Sequence, residues 1–170
     1  RSVPWKSLPQ GLNKVKDFIP VARITEMLEN PGSEFSYDGK KLIYPDIKLI
    51  YWAGGNPFHH QQDLNRLVKA WQKPDTIIVN EIWWNSQARH ADIVFPANTA
   101  LERNDIMLNP RDPTIVANTK AMKSFGDSKT DYDIFSGLAS RLGFGELFTE
   151  NRNEMDWIKF IWNESSKICE

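Results

Sequence analysis

The sequence predicts an α/β fold in three layers, with a mostly parallel sheet flanked by helices and an extended N-terminal lead-in. Between residues 47 and 96, apolar segments of strand length alternate with helical patterns. This order is typical of parallel strands joined by right-handed crossovers. The strand segments are continuously apolar, as strands covered on both faces are. The pattern therefore indicates an α/β domain with parallel strand pairing, and 170 residues suit one domain.

The composition excludes several classes of protein. A net charge of -1 gives no basic surface for nucleic acid or membranes. No apolar run approaches the ~20 residues of a membrane span. The single cysteine, Cys169, excludes an intrachain disulfide framework and a cysteine-ligated iron-sulfur cluster. Because the chain starts at Arg1, we expect it to be an internal segment of a longer protein.

Residues 1–46 are predicted to be a lead-in segment with one helix and one hairpin. The first 20 residues are polar and lack a clear period, which predicts an extended chain. VARITEMLENPG predicts a helix, since Val21 and Leu28 lie at helical spacing before an Asn-Pro-Gly stop. EFSYDGKKLIYPD predicts a hairpin that turns at Asp38-Gly39.

Residues 47–146 are predicted to form the α/β domain. Three strands are expected in IKLIYWA, TIIVNE and DIVFP, with a helix in QQDLNRLVKAWQ and a brief one in NSQARHA. NDIMLNPRDPTIVAN predicts one further short strand, and DIFSGLASRLGFG a helix ending at Gly143. In residues 147–170, NEMDWIKFIWNESSKI predicts a C-terminal helix.

The three histidines are weak metal-site candidates. His59 and His60 are adjacent, so their side chains diverge, and His90 is distant in sequence. No HExxH motif or Cys/His cluster accompanies them. We therefore favour polar loop or cap roles for these histidines.

Two strand ends are candidate nucleotide contacts. Gly54-Gly55 ends a strand before a helix, where glycines let the backbone approach a phosphate. GGNPFHH matches neither common phosphate-loop motif, so a tight turn closed by an Asx-type bond from Asn56 is an equal alternative. Glu81 ends the next strand, where an acid can accept hydrogen bonds from a ribose or guanine; an exposed structural acid is again the alternative. In LERND, Arg103 suits a phosphate or a ring, but a salt-bridged loop is the simpler interpretation.

Taken together, several segments resemble one family. FIPVARITEMLENPG, YWAGGNPFHHQQDLNRLVKAW, ARHADIVFPANTALERNDI and DYDIFSGLASRLGF are similar, in the same order, to the dimethyl sulfoxide / trimethylamine N-oxide / biotin sulfoxide reductase branch of the molybdopterin oxidoreductases. The resemblance implies that residues 47–146 are the third, Rossmann-like, dinucleotide-binding domain of a much longer enzyme. It further implies contacts to molybdopterin guanine dinucleotide from Gly54, Gly55, Asn56, His60, Gln62, Glu81, Asn85, Arg103 and Asp131.

Four residues of this sequence differ from the family pattern. Gln61 stands where a third histidine is common, Asn85 and Gln87 replace threonines, and Glu81 is often aspartate. An amide at Asn85 can still hydrogen-bond.

The resemblance also implies the chemistry of the parent enzyme. Two guanine dinucleotides hold a molybdenum ion, and a serine that ligates the metal lies outside these 170 residues. The parent transfers an oxygen atom from a sulfoxide or N-oxide, whereas this segment alone is expected to be inactive. Expected partners are the remaining domains of the parent chain and an electron-donor cytochrome, in the bacterial periplasm or, alternatively, the cytoplasm.

Two other hypotheses stay open on the sequence. A stand-alone nucleotide-binding or regulatory α/β module would share the strand-end pattern but lack a catalytic parent. A histidine-dependent metal hydrolase would require stoichiometric zinc. The seven tryptophans favour a domain that packs on others.

Overall fold

The computed structural model describes residues 4–15 and 17–168, which fall into two compact units. One unit is Leu12–Phe95, and the other combines Arg1–Gly11 with Pro96–Glu170. Cys169 lies outside the described residues. The domain boundaries predicted after residues 46 and 146 are not tested by this division and stay a prediction.

The unit Leu12–Phe95 begins as the sequence predicts. Its described residues contain no helix or strand before Val21. A 3-10 turn then leads into helix α1, Ile24–Glu29. Val21, predicted to lie at helical spacing with Leu28, is in that turn and is 63% exposed, so the α-helix begins three residues later than the predicted pattern.

The predicted hairpin is confirmed. Strands β1 (Glu34–Tyr37) and β2 (Lys40–Ile43) pair antiparallel around Asp38 and Gly39. Both turn residues have positive φ, +48° and +72°, as in a two-residue turn that matches the strand twist.

A three-stranded sheet forms the centre of this unit. Its strands are β3 (Leu49–Ala53), β4 (Thr76–Glu81) and β5 (Ile93–Pro96), in the order β3-β4-β5. β3 and β4 are parallel, in register from Leu49 opposite Thr76 to Ala53 opposite Asn80. The predicted α/β class with a parallel sheet flanked by helices is thus confirmed.

Three helices connect these strands. They are α2 (Pro57–His60), α3 (Leu64–Ala70) and α4 (Ser86–Arg89). The sequence patterns predict α3 and α4 but not α2, which at four residues is too short to show a period. The apolar core under the sheet is formed by Leu28, Phe58, Leu67, Ala70, Trp71, Ile77 and Val79.

The other unit contains a second hairpin where one strand was predicted. β6 (Asp105–Asn109) and β7 (Asp112–Asn118) pair antiparallel as a separate two-stranded sheet. Two prolines in this segment argue against strand structure in the sequence. The hairpin tolerates them because Pro110 lies in the turn and Pro113 lies where the pairing register is irregular, so neither position has to donate an N–H to the ladder.

Three helices complete this unit. They are α5 (Asp131–Arg141), α6 (Gly145–Thr149) and α7 (Glu154–Ser166), of which α6 was not predicted. Gly143, predicted at the C-cap of α5, directly follows the C-cap residue Leu142 and has φ +86°. In α7, Trp157 is buried and Trp162 is about half exposed. Within the residues described, no helix is both long and apolar enough to cross a membrane.

Candidate functional site

The nine candidate residues are divided between the two units. Arg103 and Asp131 lie in the unit that contains Pro96–Glu170. The other seven lie in the unit Leu12–Phe95: Gly54, Gly55, Asn56, His60, Gln62, Glu81 and Asn85.

The glycine turn, Gly54-Gly55, directly follows β3. Both residues have positive φ, +80° and +71°, which side-chain-bearing residues rarely adopt. The indole Nε1 of Trp52 donates to the Gly54 carbonyl at 2.8 Å and fixes the turn. A Cβ atom at Gly54 would meet nothing within 4 Å. The backbone of the turn is therefore open to close approach by a ligand.

Asn56 begins helix α2. Its Oδ1 accepts a hydrogen bond from the Phe58 N–H at 2.9 Å, and Pro57 takes the first helical position, where its missing N–H costs nothing. This is the Asx-type bond expected for a tight turn. The bond uses only the oxygen: the Asn56 side chain is 7% exposed, and its Nδ2 is buried without a hydrogen-bond partner. The amide nitrogen is thus a donor that local structure does not use.

One of the polar residues after Phe58 is buried between exposed neighbours. His60 and Gln62 are exposed. Gln61 between them is buried, and its Nε2 donates to the Val21 carbonyl at 2.9 Å. Gln61, which stands where the family commonly has a histidine, therefore joins α2 to the segment that leads into α1.

His90 has a structural role. Its ring stacks on Phe58 at 4.5 Å between centroids, and Nδ1 lies 2.7 Å from the Ser86 carbonyl. Across the described residues, no three His, Cys, Asp or Glu side chains are grouped so that they could hold a metal ion.

Glu81 ends β4 at the edge of the sheet that carries the glycine turn. Ala53 pairs with Asn80, so Gly54 and Glu81 each follow one member of the same pair. The Glu81 side chain is half-buried, and its Oε1 accepts from the Ile82 N–H at 2.9 Å. Asn80 is buried, with Oδ1 accepting from the Tyr51 hydroxyl at 2.9 Å.

Asn85 caps helix α4. Its Oδ1 accepts from the Ala88 N–H at 3.1 Å, a bond that threonine can also make. This capping bond accounts for a short polar residue here without a ligand. Gln87, two residues later, is completely buried, and neither its Nε2 nor its Oε1 has a partner. Sequence reasoning did not identify Gln87 as a site residue.

In the other unit, Arg103 and Asp131 line one cleft of about 210 Å³. Arg103 donates from Nε to Asp105 Oδ2 at 3.1 Å and from Nη1 to the Asn98 carbonyl at 3.3 Å. Asp131 is the first residue of α5, directly after the capping residue Thr130. The cleft is completed by Leu8, Asn104, Asp105, Thr130, Tyr132, Glu154, Trp157, Ile158 and Ile161.

Glu154 is a cleft residue that sequence reasoning missed. It begins α7 and is half-buried. Burial, with smaller effects from Asp133 and Asp105, raises the pKa of its carboxyl, whereas Arg103 acts in the opposite direction. An acid at the start of a helix is common, so its position gave no functional signal.

Glu102 in the LERND segment is structural. Its Oε2 accepts from the Thr99 N–H at 2.8 Å, and its Oε1 accepts from the Phe125 N–H at 2.7 Å. These backbone hydrogen bonds, together with one from the Thr99 hydroxyl, lower the pKa of the Glu102 carboxyl. The carboxylate thus closes the loop next to Arg103.

We expect the stability of this unit to fall in acid because of Glu102. A carboxyl whose pKa is lowered by folding stabilises the fold above its unfolded pKa of about 4.3. That contribution is lost as the pH falls through the folded pKa. Urea denaturation from pH 6 to pH 3 should therefore show a smaller acid loss in Glu102→Gln than in the wild-type chain. Parallel pH profiles for the two chains would contradict this assignment.

Comparisons with known proteins come from both sequence and structure. A family model described as Molybdopterin oxidoreductase matches residues 10–141. The chain is 50% identical to biotin sulfoxide reductase of Cereibacter sphaeroides, over 94% of this chain and 21% of that protein. It is also 50% identical to dimethyl sulfoxide/trimethylamine N-oxide reductase of Rhodobacter capsulatus, over 88% of this chain and 18% of that protein.

A third relative and one solved structure extend these results. The chain is 47% identical to trimethylamine-N-oxide reductase of Haemophilus influenzae, over 87% of this chain and 18% of that protein. The fold matches acetylene hydratase from Pelobacter acetylenicus with a TM-score of 0.60 and 20% identity, over 73% of this chain and 18% of that one. The chain thus spans about a fifth of the length of these relatives.

Proposed function

Because the chain belongs to the molybdopterin oxidoreductase family, we propose that it is the part of a molybdenum-dependent reductase that binds molybdopterin guanine dinucleotide. The register of β3 and β4 carries this proposal. Ala53 lies opposite Asn80, so the glycine turn and Glu81 leave adjacent strands at one edge of the sheet. Nucleotides bind open α/β sheets at the carboxyl ends of their strands.

The glycine turn fits the phosphate part of such a ligand. The space beside Gly54 admits a group that a Cβ would exclude. Asn56 Nδ2 supplies a buried donor that has no other partner. Backbone N–H groups and a buried amide are suited to phosphate oxygens. We assign the pyrophosphate to this turn, with the exposed His60 and Gln62 as further polar contacts.

Glu81 fits the guanosine end of the ligand. Its carboxylate accepts hydrogen bonds only, and both the guanine edge and the ribose offer donors. Asn85, which caps the following helix, contributes its amide nitrogen while its Oδ1 serves the cap. These two residues give the site its preference for a nucleotide end over a simple phosphate.

Arg103 and Asp131 are a separate set of candidate dinucleotide contacts in the other unit. Both line the cleft in the other unit, where Arg103 is held by Asp105 and the Asn98 carbonyl. A guanidinium fixed in this way presents its remaining donors in a defined direction to phosphate or to a ring. Asp131 adds an acceptor at the start of α5.

The reaction belongs to the longer protein. When bound, the molybdenum cofactor supplies oxygen-atom transfer, in which the S–O or N–O bond of a sulfoxide or N-oxide is cleaved. The residues described above bind and orient the dinucleotide. We place the serine ligand to the metal, and the second dinucleotide's main contacts, outside these 170 residues. The isolated chain should therefore reduce neither substrate class.

Partners and location follow from the same proposal. The remaining domains of the parent chain are the main partner, and an electron-donor cytochrome supplies reducing equivalents to the parent. We place the enzyme in the periplasm of a bacterium, with the cytoplasm as the alternative.

The sequence of the coding region on both sides of this segment tests the proposal. We expect one continuous reading frame, about five times longer, with a serine-bearing metal segment upstream of residue 1. The purified longer protein should then contain molybdenum and reduce a sulfoxide or an N-oxide. A reading frame that closes next to both ends of the chain would instead support a stand-alone nucleotide-binding module.

A further inference from the structure

Gln87 has a buried amide that the fold does not satisfy. Its side chain is 0% exposed, yet Nε2 and Oε1 both lack hydrogen-bond partners. Among the residues that the structure describes, no other side chain has two such buried atoms. Buried polar groups are nearly always paired, because leaving them unpaired is costly, so Gln87 requires an explanation.

The location of Gln87 connects it to the glycine turn. Gln87 lies in α4, which follows the end of β4, and α4 contacts α2, which follows the turn. The ring of His90, just after α4, stacks on Phe58 in α2 at 4.5 Å. Asn56, the cap of α2, carries the other unpaired buried amide nitrogen of these two helices. The unsatisfied amides of Asn56 and Gln87 therefore belong to two short helices that contact each other, one of which directly follows the glycine turn.

Gln61 is a buried amide in the same unit that does have a hydrogen-bond partner. It is 9% exposed, and its Nε2 donates to the Val21 carbonyl at 2.9 Å. The hydrogen bond of Gln61 therefore stabilises the free chain, whereas the unpaired amide of Gln87 lowers the stability of the free chain. An apolar side chain of similar size would suit the position of Gln87 better in the free chain.

We propose that Gln87 is a positioning residue for the dinucleotide, which acts through the contact between α4 and α2. This inference rests on the proposed function. Gln87 Oε1 is an acceptor and Asn56 Nδ2 a donor, so the two side chains are complementary. When the ligand engages the glycine turn, α2 adjusts against α4 and Gln87 holds the Asn56 amide toward the ligand. The Gln87 amide therefore lowers the stability of the free chain and raises the affinity for the ligand.

Gln87→Met and Gln87→Leu test this inference in the 170-residue chain. Each removes both polar atoms and keeps an apolar side chain of comparable size. We expect urea denaturation without ligand to show a midpoint above that of the wild-type chain. Calorimetry with molybdopterin guanine dinucleotide should show an affinity lower by about tenfold. Gln61→Met is the matched stability control, and its midpoint should fall because the bond to Val21 is lost.

The two readouts separate the possible outcomes. A higher midpoint with unchanged affinity would overturn the positioning role and leave the proposed function intact. A lower midpoint in both Gln87 variants would show that the amide is already paired in the free chain, and would also overturn it. If the wild-type chain binds no dinucleotide, the proposed function itself fails and this inference fails with it.

Discussion

Trp71→Ala is expected to destabilise the unit Leu12–Phe95 by about 3–5 kcal/mol, enough to unfold many domains. Trp71 directly follows α3 and is 1% exposed. Its ring packs edge-on to Phe58 at 5.6 Å and lies 5.9 Å from Trp52. Removing the indole leaves a cavity between α3, α2 and β3 that these aromatic neighbours cannot fill.

Trp83→Ala is the matched control, because Trp83 lies in the same unit and is 66% exposed. Its loss should change the free energy of unfolding by less than about 1 kcal/mol. Urea denaturation followed by far-UV circular dichroism compares the two variants. Similar denaturation midpoints for Trp71→Ala and the wild-type chain would contradict the core described for this unit.

Gly54→Ala should weaken dinucleotide binding by about tenfold or more, beyond what its effect on stability explains. At φ +80°, an alanine costs roughly 1–2 kcal/mol of backbone strain. The new Cβ meets no protein atom within 4 Å, so it causes no internal clash. It does occupy the open space through which a phosphate approaches the turn.

Gly39→Ala separates strain from obstruction. Gly39 lies in the β1-β2 turn with φ +72°, and a Cβ there also meets nothing within 4 Å. Both variants should therefore lose similar stability, while only Gly54→Ala loses affinity for the dinucleotide in calorimetry. Equal affinities in the two variants would remove the glycine turn from the binding site.

The parts of the fold that were predictable have local causes. β4 matches its predicted bounds, Thr76–Glu81, because an apolar β-branched run follows a Lys-Pro-Asp break. The first hairpin was predictable because Asp-Gly suits the positive φ values that its turn requires. In both cases a few neighbouring residues determine the structure.

The parts that were missed depend on distant residues or on very short segments. The β6-β7 hairpin was predicted as a single strand because its prolines weaken the local signal, while pairing between the strands stabilises both. Helix α2 has only a start signal, Asn56-Pro57, and no period. Val21 was included in the helical pattern because spacing alone does not separate a 3-10 turn from the α-helix that follows it.

The residues of the candidate site also separate into those that the local sequence predicts and those that depend on distant residues. The glycine turn and Glu81 were predictable, because residues that end parallel strands lie at a common edge. Asp131 was expected only from the family resemblance, and the LERND segment alone left Arg103 open between a ligand contact and a salt-bridged loop; both residues line one cleft. Gln87 and Glu154 were missed, because an unpaired amide and a raised pKa arise from tertiary burial that no local pattern reports.

Calorimetric titration of the chain with molybdopterin guanine dinucleotide, wild type against Glu81→Ala, tests the central claim most directly. Hydrogen bonds to a charged group contribute about 1.5–3 kcal/mol, so the substitution should weaken binding by roughly 10- to 100-fold. Glu81 is half-buried at a strand end and outside the core, so the variant should keep its fold. Saturable wild-type binding with that loss is the predicted result. Equal binding by the two chains would contradict the role of Glu81, and no binding by the wild-type chain would contradict the assignment of the site.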